Sequence, residues 1–336
     1  MHSTETSNEM STSEISTFGV VGLGLLGRGI AACLLSRGFR VIAVVPSPEE
    51  HSVAWQQIES MLDELVDLDG LELDVRNSAA SRMVPCTDVE SMHDVRFVIE
   101  SVTEDMAIKQ SVFDELERVV SDSTIIASNT SAIPISLLQQ TRRRPERFLG
   151  MHWAVPAHST RFLELIRGEA TSDAALQIAS DLAKQLGKDP AVCLRDVPGF
   201  IVNRIAYAMY REALHLVETG VADVETIDRS LRNTFGLWAA SCGPFRWIDL
   251  TGGPALYARA MERVLPTLSS ATTIPAPLAD LANANATGSN SGAGFYDYSP
   301  EEARVWEMRQ RRYTWQVKKW LDEEFPLTSK PEEPQA

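Results

Sequence analysis

The chain has 336 residues, 44% of them hydrophobic, which is enough for one or two buried cores and suggests two domains. Its formal net charge of −15 argues against a nucleic-acid partner and against an anionic membrane surface, because binding phosphates requires clustered Lys and Arg. The cysteines form neither CxxC pairs nor a metal pattern with the histidines; they are Cys33, Cys86, Cys193 and Cys242. We therefore expect reduced cysteines, no metal site and a cytoplasmic location.

The two ends of the chain differ from the rest in composition. Residues 1–16 are polar and rich in Ser and Thr, without a basic start or an apolar run, which predicts a disordered lead and not a signal peptide. Residues 326–336 form a tail rich in Pro and Glu. No segment is typical of a membrane span, since glycines and Arg28 interrupt the apolar stretch Phe18–Leu35.

The first seventy residues predict a βαβ unit. An apolar run, Phe18–Leu23, is followed by a glycine-rich turn and by a helical pattern over Arg28–Ser36 that ends at Gly38. Arg40–Val45 is a second buried run, ended by Pro46. Two parallel strands joined by a helix account for this pattern.

Later segments extend this alternation and then stop it. Four further apolar runs predict strands, with helical patterns such as Ile108–Val120 between them; they are Phe97–Val102, Ser123–Ser128, Phe148–Trp153 and Phe162–Ile166. Asp196–Gly199 interrupts the chain after Val192–Leu194, and the remainder is helix-like, beginning with Phe200–Glu218. We predict an α/β fold, with a Rossmann-type doubly wound sheet over residues 17–197 and an all-α domain over 198–325.

The glycine loop Gly22-Leu23-Gly24-Leu25-Leu26-Gly27 follows a predicted strand and opens a helix, the context in which GxGxxG binds a dinucleotide. Gly22 permits the tight turn, Gly24 lets the backbone approach a pyrophosphate, and Gly27 lets helix and strand pack closely. The N-terminus of the helix that follows supplies partial positive charge, and Leu25 and Leu26 of the loop are predicted cofactor contacts. Dinucleotide binding is our prediction; a compact turn without a ligand is the structural alternative.

The motif lacks its usual acidic residue. A carboxylate that binds the adenosine ribose is expected about 20 residues further on, but Val45 stands there, followed by Pro46-Ser47-Pro48-Glu49-Glu50. Ser47 or Glu49 could bind the ribose of NAD instead, or Ser47 could face the 2′-phosphate of NADP. Charge favours NAD and leaves NADP open, because the glutamates repel a phosphate.

A histidine and a glutamate form the candidate catalytic pair. Oxidation of a secondary alcohol needs a base for the hydroxyl proton, and histidine titrates closest to neutral pH. His152 lies in one predicted strand and Glu164 in the next, after a short loop, so their side chains can face each other. A carboxylate on the distal ring nitrogen fixes the tautomer and raises the basicity of the imidazole. We predict a catalytic dyad, against the alternative of a buried structural histidine.

Two polar residues are further candidates. Ser131 follows the strand Ser123–Ser128 at the sheet edge where α/β proteins bind ligands, and its hydroxyl could bond the substrate oxygen or the nicotinamide amide. Asn203, near the start of the first helix of the second domain, could orient the reacting oxygen. A serine turn and a helix-start cap are the respective structural alternatives.

Four segments make the chain resemble the 3-hydroxyacyl-CoA dehydrogenase family from about Phe18 to Tyr296. They are Ser128-Asn129-Thr130-Ser131, Gly150-Met151-His152, Leu163-Glu164-Leu165-Ile166 and Pro198-Gly199-Phe200-Ile201-Val202-Asn203-Arg204. The resemblance implies oxidation of the 3-hydroxyl of a 3-hydroxyacyl-CoA by NAD, a reaction of fatty acid metabolism, and a dimer-forming helical domain. It also implies that Glu104 and Lys109 lie near the nicotinamide ribose, although a solvated helix start explains both nearly as well.

The chain departs from the family pattern at two places. The family commonly has HFFNP, whereas this chain has His152-Trp153-Ala154-Val155-Pro156, and valine cannot make the amide contacts of asparagine. Family members that bind acyl-CoA usually carry lysine on the helix after the second strand, but no Lys or Arg occurs between Pro46 and Val75. Arg142, Arg143, Arg144 and Arg147 either replace those cations or belong to a solvated loop.

The leading hypothesis from the resemblance is an NAD-linked 3-hydroxyacyl-CoA dehydrogenase, with the reaction type better supported than the substrate. The resemblance extends to L-carnitine and L-gulonate dehydrogenases, which implies a free short hydroxy acid as the alternative to an acyl-CoA. A catalytically silent, crystallin-like relative is a third alternative, which the joint retention of Ser131, His152, Glu164 and Asn203 disfavours.

The first helix of the second domain predicts self-association. Ile201, Ile205, Met209 and Leu214 form an apolar stripe that a small helical domain does not cover alone. We expect a homodimer, the commonest closed assembly of soluble proteins.

Overall fold

The computed structural model describes residues 15–327. Residue contacts divide them into a sheet-containing unit that ends at Ile201 and a helical unit, Val202–Pro326. The boundary lies four residues after the predicted one. Residues 1–14 of the predicted lead and residues 328–336 of the predicted tail lie outside the described range.

The first unit is built on one eight-stranded sheet in the order β3-β2-β1-β4-β5-β6-β7-β8. All neighbouring strands are parallel except β6 and β7, which run antiparallel. The strands are β1 Thr17–Val21, β2 Arg40–Val44, β3 Met83–Cys86, β4 Phe97–Glu100, β5 Ile125–Ser128, β6 Phe148–Trp153, β7 Phe162–Ile166 and β8 Asp189–Cys193. The predicted Rossmann-type architecture is confirmed, because parallel strands alternate with helices as a doubly wound sheet requires.

Six helices belong to this unit: α1 Leu25–Ser36, α2 Pro48–Asp69, α3 Leu73–Arg82, α4 Met106–Val119, α5 Ile135–Gln139 and α6 Asp173–Gln185. Helices α2, α4 and α6 begin at side-chain caps supplied by Ser47, Asp105 and Ser172. The core lies against the sheet, where the central strands β4, β5 and β6 are buried at every residue. Near-continuous burial is expected of parallel strands covered on both faces.

The helical unit contains α7 Val202–Glu218, α8 Val224–Trp238, α9 Gly243–Leu250, α10 Gly253–Val264, α11 Ala276–Asn283 and α12 Pro300–Glu324. Among its described residues only Trp315 is buried. Large apolar side chains such as Ile205, Leu237 and Phe245 are 63%, 75% and 83% exposed. A helical domain of this size normally buries a core, so the exposed apolar side chains of this unit are available to pack against another surface.

The first helix of this unit starts later than the sequence pattern suggests. The apolar spacing predicts a helix from Phe200, but α7 begins at Val202 because Gly199 and Phe200 both have positive φ, +76° and +49°.

The helices of residues 15–327 include none with the length and apolar composition of a membrane span. Within residues 15–327, no group of three or more His, Cys, Asp or Glu could hold a metal, and the four cysteines are free.

Candidate active site

The glycine loop lies between β1 and α1 with the geometry that its sequence predicts. Gly22 has φ +93°, and a Cβ there would lie 2.7 Å from the carbonyl oxygen of Ser101. A Cβ at Gly27 would overlap the carbonyl oxygen of Gly22, so these two glycines are required by the fold itself. A Cβ at Gly24 meets no protein atom within 4 Å. The fold itself therefore does not require a glycine at position 24.

Helix α1 also begins without a side-chain cap. Its N-cap is Gly24, which provides no side-chain cap, and its first turn, which includes Leu25 and Leu26, contains no acidic residue. Backbone N–H groups at a helix start, together with the helix dipole, favour an anion. The loop thus fits the pyrophosphate of a dinucleotide.

Replacing Gly24 separates this ligand role from a folding role. Gly24 has φ −66° and ψ −165°, an extended conformation open to any residue, and serine is a favoured N-cap. We expect Gly24→Ser to fold with native or higher thermal stability while its Kd for NADH rises at least about tenfold, because the new side chain occupies the pyrophosphate space. Gly27→Ala is the control that should destabilise the fold. NADH titration and melting curves of both variants check this; native NADH affinity in Gly24→Ser would contradict it.

The end of β2 offers no carboxylate for an adenosine ribose. Val45 directly follows the strand, and its side chain is only 3% exposed. Ser47 is the N-cap of α2, and its Oγ accepts the backbone N–H of Glu50 at 3.2 Å. The hydroxyl of Ser47 can bind a ribose only while it also caps this helix. Its predicted cofactor contact remains a prediction.

The sheet brings His152 and Glu164 together. They are directly opposite residues of the antiparallel pair β6–β7, where side chains on one face lie close to each other. Nδ1 of His152 lies 2.7 Å from Oε2 of Glu164, and the side chains are 7% and 1% exposed. The carboxylate therefore accepts a hydrogen bond from Nδ1–H. Nε2 is then the ring nitrogen that can accept a proton from the substrate.

Two further contacts fix this dyad. The second carboxylate oxygen of Glu164, Oε1, accepts the backbone N–H of Ile201 at 3.1 Å. The ring of His152 contacts two aromatic rings, with centroid distances of 5.8 Å to both Phe162 and Phe200. The imidazole and the carboxylate are thus each held by more than one contact.

The loop that joins β6 to β7 is anchored by a buried lysine. Lys188, 2% exposed, donates hydrogen bonds to the carbonyl oxygens of Ala157 and Thr160, each at 2.5 Å. A Cβ at Gly29 of α1 would lie 2.8 Å from the Cβ of Ala157, so α1 packs closely against the same loop. This anchoring holds the two strands of the dyad in register.

Glu104 binds the loop that carries Ser131. Its Oε1 accepts the hydroxyl of Thr130 at 2.5 Å and the backbone N–H groups of Ser131 and Ala132 at 3.0 and 3.1 Å. Partial burial opposes ionisation of Glu104, but these donors and the charge of Lys109 outweigh it and hold the pKa of the carboxyl below its usual range. Within this turn the hydroxyl of Thr130 also accepts the backbone N–H of Ile133 at 3.0 Å. The position of Ser131 is therefore set by a carboxylate that stays ionised.

Lys109 lies beneath this loop and not on the surface. Its Nζ is 2.7 Å from Oε1 of Glu100 and 3.3 Å from Oε2 of Glu104, and the side chain is 0% exposed. Oε2 of Glu100 accepts the hydroxyl of Ser128 at 2.6 Å. The solvated helix start that is the alternative reading of Lys109 is wrong, because the ammonium group is fully buried. Lys109 supports Glu104, and its predicted contact with the nicotinamide ribose remains a prediction.

The sequence did not predict a role for two residues at this sheet edge, Glu100 and Asn129. Glu100 lies within an apolar run that predicts a strand, so its carboxylate gave no separate signal. Asn129 donates its side-chain N–H to the Ser101 hydroxyl and accepts the backbone N–H of Trp153, both at 3.0 Å, and so joins Ser101 to β6. Asn203 is the second residue of α7 in the helical unit, so its place beside the dyad remains a prediction.

The segment from Pro46 to Val75, which contains α2, is acidic. Family members that bind acyl-CoA usually carry lysine on this helix. The acidic residues from Pro46 to Val75 that are not buried are Glu49, Glu50, Glu59, Asp63, Asp67, Asp69, Glu72 and Asp74, whereas Glu64 is buried 3.5 Å from His158. The nearest following cation, Arg76, is paired with Asp63 at 2.6 Å and Glu59 at 3.6 Å.

Three of the four arginines in the run Arg142–Arg147 are paired with carboxylates of their own unit. Arg142 is paired with Asp114 and Glu117, and both Arg143 and Arg144 contact Asp122. These residues precede β6 and lie at its amino end, opposite the edge formed by the carboxyl ends of the parallel strands. They therefore bind carboxylates of their own unit away from the dinucleotide edge.

Comparison with known proteins covers both units. The family model for the 3-hydroxyacyl-CoA dehydrogenase NAD binding domain matches residues 17–197, and the model for the 3-hydroxyacyl-CoA dehydrogenase C-terminal domain matches residues 199–298. The chain is 35% identical over 282 residues to a probable 3-hydroxybutyryl-CoA dehydrogenase of Deinococcus radiodurans, covering 84% of this chain and 99% of the relative.

A second relative acts on a different kind of molecule. The 5-formyl-3-hydroxy-2-methylpyridine 4-carboxylate 5-dehydrogenase of Mesorhizobium japonicum is 33% identical over 312 residues, covering 92% of this chain and 99% of the relative. A crystal structure of such a 5-dehydrogenase, an NAD+-dependent dismutase, has a TM-score of 0.83 at 32% identity and the same coverage of both chains. The family models end at residue 298, and residues 1–298 make up about 89% of this chain. A match that covers 92% of the chain therefore extends past residue 298 into α12.

Proposed function

Because this chain belongs to the NAD-dependent 3-hydroxyacyl-CoA dehydrogenase family, we propose that it uses His152 and Glu164 to transfer hydride between NAD and a hydroxyl-bearing carbon of its substrate. The observation that carries this proposal is the 2.7 Å contact between Nδ1 of His152 and Oε2 of Glu164 in a cross-strand pair. Such a contact leaves Nε2 as the proton acceptor.

In this reaction the chain moves the proton and holds the reactants. Bound NAD supplies the hydride acceptor. Nε2 of His152 takes the hydroxyl proton as the carbonyl forms, and Glu164, hydrogen-bonded to Nδ1, stabilises the resulting imidazolium. In the reverse direction His152 returns that proton to the carbonyl oxygen. Burial of the dyad keeps water from competing for the proton.

Further residues have proposed roles around this dyad. Ser131 bonds the substrate oxygen or the nicotinamide amide, and Asn203 orients the reacting oxygen. Ionised Glu104, held by buried Lys109, positions the loop of Ser131 and lies near the nicotinamide ribose. Ser47 contacts the adenosine ribose. The glycine loop, Gly22 to Gly27 with Leu25 and Leu26, holds the pyrophosphate on α1.

Two substrate classes fit these roles, and the charge distribution favours one. The Deinococcus relative is named for an acyl-CoA, and the Mesorhizobium relative for a free pyridine carboxylate. Coenzyme A carries several phosphates, whereas α2 presents acidic side chains and the arginine run binds carboxylates elsewhere. We therefore propose a free, small carboxylic acid as the substrate, with a 3-hydroxyacyl-CoA as the second candidate.

A substrate panel tests this choice. We would follow NADH and NADPH absorbance with acetoacetyl-CoA, carnitine, gulonate and 5-formyl-3-hydroxy-2-methylpyridine 4-carboxylate in parallel. We expect NADH-linked turnover with at least one free acid and a kcat/KM for acetoacetyl-CoA at least about tenfold lower, equivalent to 1.4 kcal/mol of discrimination. A highest kcat/KM for acetoacetyl-CoA would reverse the order of the two candidates.

We also propose that the helical unit forms a homodimer. Its apolar side chains are exposed and, of its described residues, Trp315 alone is buried, so a second copy is the occupant that would cover it. Native protein should have about twice the chain mass of 37.1 kDa in light scattering at micromolar concentration. Ile205→Asp should yield the monomer mass, whereas Leu194→Asp, an exposed apolar position of the other unit, should not. A monomeric native protein would contradict the proposal.

A further inference from the structure

The segment Gly199–Ile201, which links the two units, contacts both members of the dyad. The Phe200 ring is 1% exposed and lies 5.8 Å from the His152 ring, with an interplanar angle of 57°. The next residue, Ile201, donates its backbone N–H to Oε1 of Glu164 at 3.1 Å. One short stretch of backbone therefore contacts the imidazole by a side chain and the carboxylate by an amide.

Phe200 adopts an unusual conformation to make these contacts. Its φ is +49°, a left-handed conformation that bulky non-glycine residues rarely adopt. Gly199, with φ +76°, precedes it, and the Phe200 N–H closes a tight turn on the carbonyl oxygen of Val197 at 2.9 Å. Strained residues of this kind persist where the surrounding contacts determine them, and they cluster at functional sites.

On this geometry we propose that Phe200 is a positioning residue for the His152–Glu164 dyad. Its ring packs against the imidazole, as the ring of Phe162 also does, and its left-handed turn places the Ile201 amide within hydrogen-bond distance of Glu164. The amide holds the carboxylate so that Oε2 points at Nδ1. The inference rests on the proposed function, because it acts through the same dyad.

A double-mutant cycle separates positioning from simple packing. We expect Phe200→Leu to lower kcat about tenfold with NADH affinity within about twofold of native, in the assay with whichever panel substrate turns over. In a Glu164→Gln background the same change should lower kcat less than about twofold, because the charged partner against which the ring positions the imidazole is already absent. Phe200→Tyr, which keeps the ring, should restore most of kcat.

Phe113→Leu is the matched control. Phe113 is also fully buried in this unit, but its ring packs on Phe148, so its loss should reduce stability and leave kcat near native. If Phe200→Leu does not fold, Phe200→Asn takes its place, since asparagine tolerates the left-handed conformation. Native kcat in the folded variant, or an equal loss in both backgrounds, would overturn the inference. A His152→Ala protein with native kcat would overturn the dyad and this inference together.

Discussion

Replacing His152 by Ala, or Glu164 by Gln, is expected to lower kcat by about 10²–10⁴, the range for loss of a positioned general base. The His152 change removes the proton acceptor. The Glu164 change replaces the charged partner of Nδ1 by a neutral amide, so the imidazolium loses its stabilising charge. Steady-state kinetics with the preferred panel substrate measures both effects.

NADH binding is the control for this prediction. The glycine loop lies on β1 and α1, whereas the dyad lies on β6 and β7, so both variants should bind NADH within about twofold of native. A loss of NADH affinity that equals the loss of kcat would point to a folding defect. A folded His152→Ala protein with native kcat would remove this residue from the mechanism.

The second large effect concerns stability, and its site is Lys109. Lys109→Met should lower the free energy of unfolding by about 3–5 kcal/mol, because it leaves the carboxylate of Glu100 buried without its cation. Both side chains of this pair are 0% exposed, so water cannot replace the lost ammonium group. Urea unfolding of native and variant protein, followed by circular dichroism, measures the difference.

Two variants make this prediction specific. Glu100→Gln combined with Lys109→Met should be less destabilising than Lys109→Met alone, because no uncompensated charge remains at position 100. Arg304→Met breaks an ion pair with Glu301 whose side chains are 65% and 67% exposed, and it should cost less than about 1 kcal/mol. Equal effects of Lys109→Met and Arg304→Met would show that the buried pair contributes no more than a surface pair.

The dyad could be predicted from sequence because strands have a period of two. His152 and Glu164 lie in two apolar runs joined by a short loop, and antiparallel pairing of such runs places opposite residues on one face. The short loop between the two runs thus limits their antiparallel pairing to a few registers. The same regularity made most of the parallel strands predictable from their apolar runs.

Other features depend on tertiary contacts that leave little local trace. β3 contains Pro85 and is an edge strand, so its pattern is short and atypical. Lys109 fits a solvated helix start by composition, and only the sheet places it against Glu100. Phe200 fits the helical spacing that follows it, since phenylalanine has no preference for positive φ. Its turn follows from contacts with His152 and Glu164, which lie far away in sequence.

The central claim is that His152 accepts the proton in NAD-linked hydride transfer, and single-turnover kinetics tests it most directly. Enzyme saturated with NAD would be mixed with less than one equivalent of the reduced form of the preferred panel substrate, and NADH absorbance followed in a stopped-flow instrument. We predict that the rate constant for NADH formation by His152→Ala is at least about 100-fold lower than that of the native enzyme, with NAD still bound. Equal rate constants for the two proteins would contradict the claim.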